Sequence, residues 1–222
     1  MISGDHPFFF LEPLFGRGGA VFHFSRYVYT PDSLFDERET FQMRGTDITV
    51  DWLEEQFGSL KRHQELAIHS RVLLGGRTVH IPMLDFAVDH IGPEELDRIR
   101  AFLPERVFLT STFYSSGRSY HAYATSLLGP KDWHAFLGRS LLINPRDGEQ
   151  IVDARWVGHR LIAGYCSLRF SNSSGQYRGM PKRVGVRALT ESQFVRLPDP
   201  SDVGPMPSLH GLGSGRDEGC DE

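Results

Sequence analysis

Apolar residues change their spacing several times along this chain, and each change predicts an element. Residues 1–29 are crowded with Phe, Tyr and Gly and read as extended segments with turns near 16–19. Val50, Leu53, Phe57 and Leu60 recur at helical spacing behind Thr49, which suits a helix cap. Two strand-like runs follow, 65–74 and 78–88, joined as a hairpin by Gly75-Gly76-Arg77. Pro93 opens a helix with Glu94 and Glu95 where the dipole favours acids, and with Leu96, Ile99 and Leu103 on one face. Val107-Phe108-Leu109 and Ala122-Tyr123-Ala124 then read as paired strands flanking a tight turn on Ser-Gly-Arg. Pro130 starts a helix burying Trp133, Phe136, Leu137 and Leu141, and a further helix runs to Arg160 after Ile151-Val152-Asp153. Residues 165–170 form a strand, 171–179 a polar loop and 182–189 a last strand. Hairpins mixed with helices give the α+β class.

Composition narrows the picture. A chain of 222 residues with 40% apolar and 12% aromatic content can bury one sizeable core. No apolar run has membrane-spanning length, and Phe8-Phe9-Phe10-Leu11 is too short and unflanked by bases for a signal peptide. Cys166 and Cys220 have no metal-ligand spacing, so a reducing cytoplasm without structural disulfides is the expectation. The net charge of −4 is unevenly placed. Six acids and one Arg fall in 197–222, whereas 153–196 holds eight Lys or Arg against Asp153 and Glu191. Residues 198–222, rich in Gly, Pro, Ser and Asp, are expected to form a disordered acidic tail on a domain of residues 1–197. A local basic region suits a phosphate-bearing ligand, and a solvated charged face has the same pattern.

Candidate chemistry centres on Thr112-Phe113-Tyr114-Ser115-Ser116-Gly117-Arg118-Ser119-Tyr120-His121. Small hydroxyl residues and a glycine let backbone N–H groups approach an anion, Arg118 adds charge, and Ser119 and His121 share a strand face. An ordinary hairpin with a satisfied histidine fits the same residues. Asp85 stands inside an apolar run, where a carboxylate is costly to bury unless paired or bound to a metal. Asp89 reads first as a solvated strand-end acid. Asp153, ahead of a helix, has the position of an N-cap. Arg160, Arg169 and Lys182 lie in the basic region and are individually weak signals.

Their order along the chain resembles the archaeo-eukaryotic primase superfamily. That family carries a first motif of two acids at Asp-x-Asp or Asp-x-Glu spacing, a second motif Ser-x-His, and a third of an aliphatic residue and Asp. The resemblance covers roughly residues 65–190. It implies a primase-polymerase-like fold of two α/β halves, mixed or antiparallel sheets with flanking helices, around a central cleft. It implies that Asp85 and Asp153, with Asp89 as a further candidate, hold two Mg²⁺ or Mn²⁺ ions. Ser116, Gly117, Arg118, Ser119 and His121 would grip a nucleoside triphosphate, and Arg160, Arg169 and Lys182 would contact its phosphates or base. The implied activity is metal-dependent, template-directed nucleotidyl transfer by a primase or polymerase of DNA replication or repair. Asp85, His121 and Asp153 would be catalytic, and single-stranded or primed nucleic acid would be the partner. Any helicase or accessory subunit would come from another chain.

One departure bears on that activity. The family's second acid, two residues after the first, is replaced by Ala87. Two cations about 4 Å apart need several carboxylates to offset their repulsion. Three readings therefore stand: an active nucleotidyltransferase, a degenerate nucleotide- or nucleic-acid-binding accessory or regulatory protein, and an unrelated α+β interaction module.

Overall fold

The structure is a computed structural model that describes residues 1–30 and 37–184. Two antiparallel sheets carry it. The first contains β1 (Val21–Val28), β2 (Arg38–Arg44), β3 (Gln64–Leu74), β4 (Arg77–His80) and β8 (Ser167–Arg169). Its path is β2-β1-β3-β4, with β8 also paired to β3. The second runs β5-β7-β6-β9, from β5 (Met83–Asp85), β7 (Tyr120–Ala124), β6 (Ser111–Ser115) and β9 (Lys182–Arg183). The two meet where β5 packs against β8, which brings Asp85 and Arg169 into the same region.

Helices α2 (Val50–Gly58), α3 (Pro93–Phe102), α5 (Pro130–Leu142) and α6 (Ala154–Ala163) stand where the periodicity puts them. The Thr49 hydroxyl accepts from Trp52 N–H and caps α2. Gly164, in the left-handed region at φ 74°, closes α6 by donating its N–H to the Arg160 carbonyl. Helix α5 buries Trp133, Phe136 and Leu137 against α3, α6 and β4, with Ser140 rather than Leu141 as its fourth buried residue. Each fully buried aromatic contributes about 2–3 kcal/mol of apolar burial.

Three expectations are corrected. Residues 7–15 form helix α1 (Pro7–Phe15), not an extended segment. The His6 side chain caps it by accepting from Phe8 N–H, and Phe8, Leu11, Leu14 and Phe15 are buried at helical spacing. Val107-Phe108-Leu109 lies in the short helix α4 (Glu105–Leu109), and the strand begins only at Ser111. Hydroxyls of Thr110 and Ser111 donate to the carbonyls of Arg106 and Val107 at 2.8 and 2.7 Å, which holds that helical turn. The run 78–88 is two strands in different sheets. Pro82 lacks the N–H a ladder needs, so the chain crosses over at Ile81-Pro82.

The polar loop after β8 is organised by a carboxylate the sequence does not flag. Glu65, fully buried at the head of β3, accepts from the Ser171 hydroxyl and from the N–H groups of Ser173 (3.1 Å) and Ser174 (2.8 Å). Glu65→Ala leaves the buried Ser171 and Ser174 donors without their acceptor and is expected to lower stability by about 2–3 kcal/mol, read from urea unfolding. The last strand spans Lys182–Arg183 and ends before Val184, and residues 185–189 of the expected 182–189 segment, with the acidic tail, lie outside the described residues. No described helix is long and apolar enough to cross a membrane.

Candidate active site

A cavity of about 1030 Å³ opens between the two sheets. Backbone pairing brings its two acids together. Phe86 bridges Val152, Ala87 N–H donates to the Ile151 carbonyl at 2.9 Å, and Asp153 N–H donates to the Asp85 carbonyl at 3.0 Å. Asp85 and Asp153 therefore lie on adjoining segments, and both face the cavity. Ala87 lines it as well, on the same side as Asp85. On the other flank of β5, His121 is the direct cross-strand partner of Asp85.

His121 Nε2 lies 3.7 Å from Asp85 Oδ1, too far for a hydrogen bond. Burial lowers the His121 pKa to about 3, with Arg169 pushing the same way, so its imidazole is neutral. Burial raises Asp85 to about 8, the charge of Asp153 adds to this, and Arg169 and Arg160 oppose it. The carboxylate keeps 23% of its side-chain surface open on the cavity side, while protein crowds its other sides. At neutral pH the ligand-free pair is thus largely uncharged, and the 3.7 Å contact is not an ion pair. His121 Nδ1 is buried without a partner.

The hairpin turn between β6 and β7 forms the adjacent wall. Ser116 N–H donates to the Ser119 carbonyl at 2.9 Å, and the two hydroxyls are 3.1 Å apart. Gly117 sits at φ 104°, and a Cβ there would fall 3.0 Å from the backbone nitrogen of Arg178. Only glycine suits both the turn and the close approach of the 178–179 backbone. Arg118 is exposed at the cavity edge, its guanidinium 5.6 Å from the Tyr177 ring.

Helix α6 enters from the opposite side. Asp153 caps it, Oδ1 accepting from Trp156 N–H at 2.8 Å, so the acid is both an N-cap and a cavity residue. Arg160 is buried and donates to the Ser167 hydroxyl at 2.5 Å. Arg169 is buried too: Nη1 donates to the Ser171 carbonyl, and Nη2 to those of Ser116 (2.6 Å) and Gly179 (3.2 Å). Two candidates lie away from the cavity. Lys182 is exposed with its ammonium 3.7 Å from Asp5, and Asp89 is exposed beyond the end of β5. Tyr177 lines the cavity unforeseen.

The donors could hold one cation but suit two poorly. Asp85 and Asp153 supply two carboxylates, one oxygen of Asp153 already serves the helix, and Ala87 adds none. Among the described residues no three His, Cys, Asp or Glu side chains group around a metal position. Mg²⁺ commonly takes one or two carboxylates and completes its shell with water and phosphate oxygens. A pair of cations requires more carboxylate charge than this.

No curated protein and no solved structure matches the chain. A family model described as AEP-like, archaeo-eukaryotic primase 1D-like, matches residues 44–182. That span holds β3 to α6, the Asp85 strand, the Ser-x-His turn and the Asp153 cap. With well over half of its length matched, the chain belongs to the archaeo-eukaryotic primase superfamily as a divergent, 1D-like member.

Proposed function

We propose that the cavity binds a nucleoside triphosphate with a divalent cation and transfers its nucleotidyl group to the 3′-end of a nucleic-acid strand. One observation carries the reading: Asp85, Ser116, Ser119, His121 and Asp153, from separate segments, face one cavity of about 1030 Å³. That volume exceeds the needs of a small metabolite and suits a nucleotide beside part of a strand. Ser116 and Ser119 hydroxyls and the neutral imidazole of His121 offer donors to phosphate oxygens, and Arg118 supplies charge at the edge. Asp85 and Asp153 would hold the cation, which when bound screens the charge of the triphosphate and of the displaced pyrophosphate. In the reaction the 3′-oxygen forms a bond to the α-phosphorus and the α–β bridging bond breaks. Pyrophosphate leaves with that electron pair, and the hydroxyl proton passes to water in the open cavity.

A second reading, nucleotide binding without transfer in an accessory or regulatory role, is favoured by Ala87 facing the cavity where the family carries an acid. Calorimetry with a nucleoside triphosphate and Mg²⁺ tests the shared part. His121→Ala should weaken binding roughly ten- to hundredfold, the worth of a charge-assisted hydrogen bond. Unchanged affinity in a folded variant removes His121 from the site. Extension of a primed template separates the readings, since binding without incorporation leaves only the second.

A further inference from the structure

The family resemblance leads one to expect phosphate or base contacts from the basic residues after the third motif. Arg169 is placed for a different task. The residue is 4% exposed, and both terminal nitrogens of its guanidinium donate to backbone carbonyls. These belong to three segments: Ser116 in the β6–β7 turn, Ser171 just after β8, and Gly179 at the end of the polar loop. The Tyr177 ring lies under the guanidinium carbon at 3.9 Å, and the remaining nitrogen, Nε, is buried without a partner. Three of its five N–H groups thus donate to backbone carbonyls, so most of its hydrogen-bonding capacity ties chain segments together although the residue also lines the cavity. Gly117 packs from the other side, with space for a Cβ only 3.0 Å from Arg178 N.

We infer that Arg169 is a positioning residue, a clasp that joins β8 to the hairpin turn of the other sheet and holds the 116–119 turn in the form that receives phosphate. The inference rests on the triphosphate reading above for the ligand, and on the hydrogen bonds alone for the clasp. Arginine suits the task because its planar fork serves several carbonyls at once while stacking on an aromatic ring, whereas lysine carries a single point charge. The phosphate acceptor surface is then the turn's own hydroxyls and amides, with His121 beside them. The Arg169 charge acts at a distance, where it pulls Asp85 towards ionisation and disfavours protonation of His121.

Hydrogen exchange on the ligand-free protein separates a clasp from a phosphate ligand. In Arg169→Lys the amides of 116–119 and 178–179 should exchange at least tenfold faster, with Ser116 N–H as the most direct reporter, while those of α3 and α5 stay protected. Triphosphate affinity should fall about tenfold in parallel. Tyr177→Leu removes the ring that lies 3.9 Å from the guanidinium while leaving the turn's own sequence intact, and it should give the same exchange pattern in milder form, which keeps the test available if Arg169→Lys does not fold. Unchanged ligand-free exchange with reduced affinity in Arg169→Lys would make Arg169 a direct phosphate ligand and overturn the inference. Unchanged exchange and affinity would overturn it equally. Faster exchange in a protein whose wild type binds no triphosphate would keep the clasp and sink the phosphate reading instead.

Discussion

At pH 5 the protein should unfold at a much lower urea concentration than at pH 7.5. Four buried histidines set most of this response, and burial lowers the pKa of partly buried His23 in the same direction. His6, His69, His80 and His121 are each at most 5% exposed, and burial lowers their pKa values to about 4, 3, 4 and 3. Hydrogen bonding adds a reason at His6. His6 Nε2 pairs with the Phe170 carbonyl at 2.8 Å while Nδ1 accepts from Phe8 N–H, so protonating Nδ1 breaks the α1 cap.

The sign follows from which state binds more protons. The unfolded chain protonates these histidines near 6.5 and the fold keeps them neutral to far lower pH. Their stabilisation is therefore complete above 6.5 and is lost as pH falls from there towards 3–4. Asp85 opposes them: its folded pKa is raised to about 8, so the fold holds one extra proton between about 4 and 8. Four imidazoles against one carboxylate leave a net uptake of about three protons on unfolding near pH 5. Stability should then fall by roughly 4 kcal/mol per pH unit, enough to exhaust a typical 5–15 kcal/mol domain within two or three units. Urea midpoints from pH 7.5 to 4.5 measure the slope. A slope of one proton or less would mean that these side chains charge within the fold.

The same residues show what a sequence discloses. The 112–123 hairpin, the Thr49 cap, the proline starts of α3 and α5 and the Asp153 cap are all legible, because local chemistry alone decides them. Helix α1 was hidden because Phe-rich runs favour strands, although Pro7 and the spacing of Phe8, Leu11 and Leu14 carried its signal. Val107-Phe108-Leu109 is too short for period to separate helix from strand. The convergence of Asp85, His121 and Asp153 was legible as an order of motifs. The use of Arg169 was not. Alternation in β8 correctly turns it away from buried Leu168 and Phe170, but its partners are carbonyls 53, 10 and 2 residues away, which no local pattern encodes. Glu65 fails for the same reason, its partners lying more than 100 residues along the chain.

Ala87→Asp should turn a poor cation site into a good one. Position 87 is exposed, lines the cavity with Asp85 and Asp153, and is held by its N–H bond to Ile151 at 2.9 Å, so the new carboxylate enters the space beside both acids. Without metal the new carboxylate repels Asp153 and pushes Asp85 further towards its neutral form, in a place where burial and Asp153 already raise the Asp85 pKa to about 8. The variant should therefore melt lower than the wild type in chelator. With Mn²⁺ the repulsion becomes attraction, so the melting temperature should recover or exceed the wild-type value. Cation affinity should rise at least tenfold, about 1.4 kcal/mol. Nucleotide incorporation on a primed template should rise with it, since two cations become tenable once enough carboxylates face them. Asp153→Asn in the Ala87→Asp background should erase both gains, because the two acids would share the metal. Asp153→Asn retains a side-chain oxygen for the α6 cap, so the loss would not be simple unfolding. Equal destabilisation by Ala87→Asp with and without Mn²⁺ would show that position 87 does not face a cation. The pairing of Asp85 and Ala87 with the family's two-acid motif would then fall.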